Sequence, residues 1–168
     1  MARAPISDET DVAILGGGYA GLITAGRLKE AGVENVRIIE MAGDFGGTIA
    51  AGRGHTCVLS EDRAMCWGSN VDGQLGDGSQ DSRVEPSVIA GDFSFSQISA
   101  GWAHTCGLTG TEIVCWGSNS TGQLGDGTTQ PRNAPVKINA SASFKLVRAG
   151  NTHTCALTNS RTAFCWGQ

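Results

Sequence analysis

The fold of this chain is decided by the stretch Cys66-Trp67-Gly68-Ser69-Asn70-Val71-Asp72-Gly73-Gln74-Leu75-Gly76-Asp77-Gly78. The stretch returns 49 residues later as Cys115-Trp116-Gly117-Ser118-Asn119-Ser120-Thr121-Gly122-Gln123-Leu124-Gly125-Asp126-Gly127, and 11 of the 13 positions are identical. A third copy begins at Cys165-Trp166-Gly167. Repetition at a period of roughly 20 to 50 residues is typical of solenoids and propellers. The sequence therefore predicts a repeat protein from Ile49 onward.

A second phrase, His-Thr-Cys, stands upstream of each copy and predicts a β-hairpin in each repeat. In the first repeat, Cys57 and Cys66 are equidistant from Glu61-Asp62. A two-residue turn there would place the two cysteines directly opposite each other. The same reasoning pairs Cys106 with Cys115 across Gly110-Thr111, and Cys155 with Cys165 across a three-residue turn, Asn159-Ser160-Arg161.

Three interpretations of the six cysteines are open. A disulfide within each hairpin fits the even count and the register, although disulfides are typical of an oxidising compartment. Buried free thiols that pack as small apolar groups would suit a cytosolic chain. A zinc site built from His55, Cys57 and Cys66 would supply only three ligands where structural zinc takes four. We therefore take the three hairpin pairs as candidate disulfides and expect no metal.

The repeated histidines and tryptophans are predicted to be structural. Equivalent histidines spread around an axis cannot form one active site, so each is expected to be a hydrogen-bonding strut between strands. The repeated Trp67, Trp116 and Trp166 are expected to pack between blades. Trp102 has no aromatic counterpart in the other copies, which predicts a surface contact. We assign no catalytic residue.

The first 49 residues follow a different pattern. Asp11-Val12-Ala13-Ile14-Leu15 is a short apolar run typical of a buried parallel strand, and Gly16-Gly17-Gly18-Tyr19-Ala20-Gly21 follows directly. Residues 22–31 have helix-forming composition, and a second strand is predicted over Val36-Arg37-Ile38-Ile39-Glu40. The order is strand, glycine loop, helix and strand, with an acidic residue at the end.

Each part of this pattern suits a dinucleotide. Gly16 permits the tight turn, Gly18 lets the backbone approach a pyrophosphate, and Gly21 lets the helix and strand pack closely. The helix N-terminus supplies N–H groups for the phosphates. Glu40 can accept the ribose hydroxyls of an adenosine group. The alternative is a glycine-rich turn without a ligand.

This stretch resembles the N-terminal FAD-binding segment of flavin-dependent monooxygenases, particularly those of the Baeyer–Villiger type. Gly46-Gly47-Thr48 resembles that family's second flavin contact, which makes Gly46 and Gly47 further candidate cofactor residues. The resemblance covers only residues 11–48. The family's NADPH motif, catalytic arginine and substrate domain have no counterpart here, so the resemblance implies FAD at low occupancy and no turnover.

From Ile49 onward the two repeated phrases resemble repeats of the regulator of chromosome condensation family. That family folds as a seven-bladed β-propeller, which implies about 2.5 blades here, over residues 49–97, 98–146 and a partial 147–168. Its members present loops to protein partners, and some are nucleotide-exchange factors for small GTPases or contact chromatin. No residue here matches an exchange motif, so the resemblance implies a protein partner without identifying it.

Composition and charge make several other classes unexpected. The net charge is −4, of which −3 falls on residues 1–49 (4 basic, 7 acidic) and −1 on the rest (8 basic, 9 acidic). Nucleic-acid binding is not expected without a basic cluster, and no run reaches the roughly 18 apolar residues of a membrane helix. A cytoplasmic location is the default expectation. Paired cysteines and glycosylation motifs at Asn119 and Asn139 leave secretion open.

The sequence thus predicts a mixed fold, with a truncated Rossmann-like βαβ unit over residues 1–48 and an all-β, incomplete propeller over 49–168. The predicted function is a non-catalytic protein-interaction module fused to a vestigial FAD-binding segment. The alternative is a fragment of an FAD-dependent oxidoreductase without its catalytic part. Exposed blade faces of an incomplete propeller predict self-association. A natural fusion, a mis-assembled gene model and a designed chimera all fit the sequence.

Overall fold

The structure is a computed structural model of the 168-residue chain. It describes the backbone of two short N-terminal strands, residues 12–15 and 36–39, and it describes residues 49–60 and 63–168. The chain divides into two compact units, residues 1–44 and 45–168.

The first unit contains a parallel pair of strands. Strand β1 (Val12–Leu15) pairs with β2 (Val36–Ile39), with Val12 opposite Val36 and Leu15 opposite Ile39. Parallel neighbours require a crossover of a dozen or so residues, which the intervening 16–35 can supply. The predicted glycine loop, the helix over 22–31, Glu40, Gly46 and Gly47 all lie outside the described residues. The βαβ unit and the boundary at residue 48 therefore stay predictions.

The described part of the second unit consists of three antiparallel sheets, which we call blades 1, 2 and 3. Blade 1 has the order β3 (Ile49–Ala51), β4 (His55–Ser60), β5 (Arg63–Gly68), β6 (Arg83–Val88). Blade 2 has the order β7 (Gln97–Ala100), β8 (His104–Thr109), β9 (Glu112–Gly117), β10 (Arg132–Lys137). Blade 3 has three strands, β11 (Phe144–Ala149), β12 (His153–Thr158) and β13 (Ala163–Gly167). No helix occurs among the described residues, and so none there could cross a membrane.

The central hairpin of each blade has the predicted register, with its two cysteines directly opposite each other. Gly110 adopts φ +63° at the first turn position of the second hairpin, which suits a type II′ turn. Arg161 closes the longer third turn with φ +65°, the only positive φ of a non-glycine residue in the described part. The predicted turn at Glu61-Asp62 lies outside the described residues.

The apolar core lies between the blades. One cluster joins blades 1 and 2 around Leu59, Ile98 and Trp116, and a second joins blades 2 and 3 around Leu108 and Val147. Blade 2 is covered on both faces, so β9 is buried at every position after Glu112. In β5, where only one neighbouring blade is present, buried and less buried positions alternate. Blade contact therefore decides which positions of the repeat are buried.

Candidate functional site

A hydrogen-bonded chain crosses each interface between blades. The Nε2 atom of His55 lies 2.8 Å from the hydroxyl oxygen of Thr105, which donates to the Gln74 carbonyl at 2.9 Å. The indole of Trp116 donates to the same carbonyl at 2.9 Å. The next interface repeats these contacts with His104, Thr154, Gln123 and Trp166, at 2.8 to 2.9 Å. At each interface these hydrogen bonds join the two blades through one backbone carbonyl, that of Gln74 or Gln123, in the loop that follows a central hairpin.

This chain fixes the protonation of the histidines. The Thr105 hydroxyl has one proton, which it donates to Gln74, so its oxygen accepts from His55 and the imidazole proton is on Nε2. Burial and repulsion by His104 lower the pKa of His55 to about 3. Burial and repulsion by His153 lower the pKa of His104 to about 4, against a raising hydrogen bond. Both are hydrogen-bonding struts between strands, as predicted, and these strands belong to neighbouring blades. The lowered pKa values keep both histidines neutral.

The cysteine pairs differ in exposure. Disulfides join Cys57 to Cys66 in blade 1, Cys106 to Cys115 in blade 2 and Cys155 to Cys165 in blade 3. The pairs of blades 1 and 2 are fully buried, whereas Cys155 is half-buried and Cys165 is exposed. Their oxidation state in the purified protein stays a prediction. Across residues 49–60 and 63–168, no group of three or more His, Cys, Asp or Glu is arranged to hold a metal.

The loop after each central hairpin is held by an asparagine and an aspartate. The side chain of Asn70 accepts from the Leu75 N–H at 2.9 Å and donates to Asp77 at 3.3 Å. Burial raises the pKa of Asp77, but hydrogen bonds from Ser79 and Arg83, followed by Ser87, outweigh it and hold the pKa well below its usual range. Leu75 and Leu124 are fully buried beneath their loops, and the loop glycines adopt positive φ, as predicted.

In the second copy of this loop, the asparagine of the glycosylation motif at Asn119 is buried. Asn119 is 1% exposed, and its amide donates to Asp126 and to the backbone carbonyls of Thr128 and Gln130. Asn139 is exposed. Only the motif at Asn139 therefore presents an accessible amide.

Three short turns lie side by side at one end of the central hairpins, and we call them the turn row. They are residues 52–54, 101–103 and 150–152, each between the first and second strands of a blade. Each turn is closed by a 2.8 Å bond from its glycine N–H to the following histidine carbonyl. A Cβ on Gly52 would collide with the His55 ring and the Gly101 carbonyl. The close packing against His55 therefore requires glycine at this position.

Arg53 and Trp102 form an exposed pair on the turn row. The Arg53 guanidinium carbon lies 4.4 Å from the centre of the Trp102 ring, and Trp102 is 43% exposed. The backbone N–H of Arg53 also donates to the backbone carbonyl of Trp102 at 3.2 Å. Trp102 is thus on the surface as predicted, whereas Trp116 is fully buried between blades. Arg53 was not predicted as a site residue, although it occupies the same variable turn position as Trp102.

Comparison with known families agrees with the repeats. The family model for the regulator of chromosome condensation (RCC1) repeat matches residues 61–108 and 112–157, more than half of the chain. The chain belongs to the regulator of chromosome condensation repeat family. A second RCC1 repeat model matches residues 95–123. The blades described above are therefore RCC1 repeats.

Solved structures of RCC1-repeat proteins resemble the blades. A chain in the structure of Kap60 bound to yeast RCC1 (Prp20) has a TM-score of 0.63 and 26% identity, covering 71% of this chain and 31% of that chain. Prp20p from Saccharomyces cerevisiae, solved with a study of its binding to Gsp1p and histones, gives 0.62 and 26%, covering 71% and 32%. This chain thus spans about a third of those RCC1-repeat proteins.

The N-terminal segment of this RCC1-repeat chain is similar to a different class of protein. A model described as an FAD binding domain matches residues 11–81. A Baeyer–Villiger monooxygenase of Streptomyces coelicolor is 50% identical over 46 residues, 27% of this chain and 8% of that enzyme. Residues 61–81 fall in both kinds of match. We assign them, together with residues 49–60, to blade 1 because residues 49–81 include β3, β4 and β5. The chain joins a short, monooxygenase-like FAD-binding segment to RCC1 repeats.

Proposed function

We propose that the chain is a non-catalytic protein-interaction module whose docking surface is the turn row. One observation carries this proposal: Trp102 is 43% exposed beneath Arg53, on turns that backbone hydrogen bonds fix across blades. Tryptophan and arginine are enriched among the residues that contribute most to the binding energy of protein interfaces. A fixed backbone lowers the entropy lost on binding. Prp20p, which has the same repeats, was studied for its binding to Gsp1p and histones, and this supports a protein partner.

The test is affinity capture with the full chain from cells that express it, quantified by mass spectrometry. Three baits are compared: the natural chain, Trp102→Ala and Arg63→Ala. Arg63 is exposed at the start of β5, at the far end of the hairpin from the turn row, so its variant is a matched surface control. Proteins that bind the natural chain and Arg63→Ala but not Trp102→Ala are expected. Identical protein sets for all three baits would refute a role for the turn row.

A fragment of an FAD-dependent oxidoreductase is the second candidate function. It is favoured by the parallel pair β1 and β2 within a segment that is 50% identical to a Baeyer–Villiger monooxygenase. In this proposal Gly16 permits the tight turn, Gly18 lets the backbone approach the pyrophosphate and Gly21 lets the helix pack on the strand. Glu40 would bind the ribose, and Gly46 and Gly47 would lie beside the flavin. FAD would supply the redox chemistry when bound. We expect low occupancy from a segment that matches only 8% of that enzyme.

A visible absorption spectrum of the desalted protein tests the flavin. We expect at most a weak flavin band, which added FAD increases in the natural chain but not in Gly18→Val. A near-stoichiometric band as purified would favour the oxidoreductase. A protein that stays colourless with added FAD would remove FAD binding from the proposal.

We also propose self-association through the outer side of blade 3. Ala156 and Trp166 pack toward blade 2, so the alternating positions Cys155 and Cys165 point away from it. That side also carries the exposed His153 and the half-buried Leu157. Concentration-dependent association is expected in sedimentation velocity and should weaken in Leu157→Asp. A monodisperse monomer at every concentration would contradict it. We also propose the cytoplasm as the default cellular location of the protein.

A further inference from the structure

The geometry of the turn row points to one kind of partner: we propose that Arg53 and Trp102 together bind a protein segment in which an Asp or Glu carboxylate stands beside an apolar side chain. The inference rests on the proposed interaction function and deepens it. It concerns the chemistry of the partner, which neither the fold nor the similarity to other RCC1-repeat proteins specifies.

In the part of the chain that the structure describes, the charge of Arg53 has no carboxylate partner. Arg83 and Arg132, the first residues of β6 and β10, are paired with Asp77 and Asp126 at 2.6 and 2.8 Å. No carboxylate forms an ion pair with Arg53 among residues 49–60 and 63–168, where its guanidinium lies over the Trp102 ring. Stacking on a ring uses the face of a guanidinium and leaves its N–H edge free. That edge matches the two oxygens of a carboxylate.

The position of Arg53 is fixed before a partner arrives. Its backbone N–H donates to the Trp102 carbonyl at 3.2 Å, and the Trp102 N–H lies 3.3 Å from the carbonyls of Gly150 and Asn151. Arg53 thus belongs to blade 1 and Trp102 to blade 2, and backbone hydrogen bonds join their two turns. Stacking further restricts a long side chain that would otherwise lose rotamer freedom on binding. The pair is preorganised for a ligand.

The exposed part of the Trp102 ring defines the second requirement. An indole that is 43% exposed offers apolar area directly beside the cation. A bare phosphate or acetate ion would leave this area in water, whereas a Leu, Met or aromatic neighbour of the carboxylate would cover it. Nucleic acid is disfavoured because backbone binding needs several cations, and the chain has a net charge of −4. An acidic and apolar peptide segment fits both features.

Fluorescence anisotropy with three labelled peptides tests the inference on the full chain. One peptide has Glu-Leu-Glu at its centre, the second the isosteric Gln-Leu-Gln, and the third Glu-Ser-Glu. We expect the first to bind roughly tenfold tighter than either of the others, since a charge-assisted pair and a buried side chain are each worth about one decade. The preference over Gln-Leu-Gln should shrink with added salt.

Variants separate the two halves of the site. Arg53→Ala should lose the preference for Glu over Gln, and Arg53→Lys should retain only part of it because lysine lacks the planar fork. Trp102→Ala should lose the preference for Leu over Ser. Arg63→Ala, an exposed arginine at the other end of the hairpin, should behave as the natural chain does.

Several results would overturn the inference. These are equal affinity for all three peptides, no measurable binding of any, or a Glu preference that survives in Arg53→Ala. Arg53-dependent binding of a single-stranded oligonucleotide, tighter than that of the Glu-Leu-Glu peptide, would replace it with a nucleic-acid site. None of these results affects the affinity capture described above. If Trp102-dependent capture is then still observed, the interaction module stands with a partner of other chemistry.

Discussion

The outer side of blade 3 and the corresponding side of blade 2 have the same repeated sequence, His-Thr-Cys, but the side of blade 2 is buried and that of blade 3 is largely exposed. In blade 2, His104, Cys106 and Cys115 face blade 3 and have no exposed surface. In blade 3 the equivalent residues His153 and Cys165 are exposed, although the hairpin has the same register. The repeated sequence is therefore sufficient to form the hairpin. Burial of its outer side, and the hydrogen bonds between blades, require the next blade. Repeat proteins in general divide their stability in this way, into a unit term and a neighbour term.

The largest effect is expected from removing the central ring of a closed interface. Trp116 is fully buried, donates to the Gln74 carbonyl and packs against Phe95 at 5.9 Å between ring centres. Trp116→Ala should lower the free energy of unfolding by about 3 to 5 kcal/mol, measured by urea denaturation. Trp166→Ala, at a half-buried ring with the same hydrogen bond, should cost less.

Trp102→Ala is the control for these two variants, because its ring is exposed on the turn row. It should change the free energy of unfolding by about 0.5 kcal/mol or less, as surface substitutions do. Equal losses for all three tryptophans would show that burial between blades is not what they contribute.

A smaller effect is expected from adding one methyl group to the loop that covers Trp116. Gly76 and Gly78 both adopt positive φ, at +71° and +86°. A Cβ on Gly76 would meet the Trp116 indole, whereas a Cβ on Gly78 would have no atom within 4 Å. Gly78→Ala should cost about 1 to 2 kcal/mol for the left-handed backbone. Gly76→Ala should cost about 1 to 3 kcal/mol more for overpacking.

The difference between Gly76→Ala and Gly78→Ala is the informative quantity, and urea midpoints of the two variants give it. Gly125→Ala and Gly127→Ala repeat the pair at the second interface, where Gly125 lies against Trp166 and Gly127 is less confined. If the two members of each pair cost the same, the loop does not hold the neighbouring blade in place.

The neutral histidines of the closed interfaces predict a pH dependence. The pKa of His55 is lowered to about 3 and that of His104 to about 4, from an ordinary value of 6.5. As the pH falls below 6.5 the unfolded chain binds protons that the folded chain does not, so stability decreases by up to about 1.4 kcal/mol per pH unit for each histidine. Above this pH their contribution is constant.

Urea midpoints between pH 7.5 and 4.5 check this slope. Asp77 and Asp126, whose pKa values are lowered, lose their contribution only below the ordinary carboxylate range near 3.8, so they do not interfere in this window. His104→Gln should remove about one proton from the slope whatever it does to the absolute stability. An unchanged slope in that variant would mean that the interface histidines titrate normally.

How much of this was predictable from the sequence depends on whether the information was local. The hairpin registers, the positive-φ glycines and the buried Leu75 and Leu124 followed from spacing and turn chemistry within one repeat. The partner of each histidine did not, because Thr105 lies 50 residues from His55 in the next blade. Arg53 was missed for the same reason, since its stacking on Trp102 joins two turns that are adjacent only after the blades assemble.

The sharpest contrast between the two sides is expected from mild reduction of the cysteine pairs. Cys165 is exposed, whereas Cys57, Cys66, Cys106 and Cys115 have no exposed surface. A reductant must reach a sulfur atom, so the inner pairs react only when the blades separate, whereas the pair of blade 3 reacts in the folded protein. Alkylation and peptide mass spectrometry after brief treatment should find Cys155 and Cys165 labelled first. Labelling of all six cysteines without reductant would show free thiols, and uniform labelling after reduction would show that the blade interfaces open together.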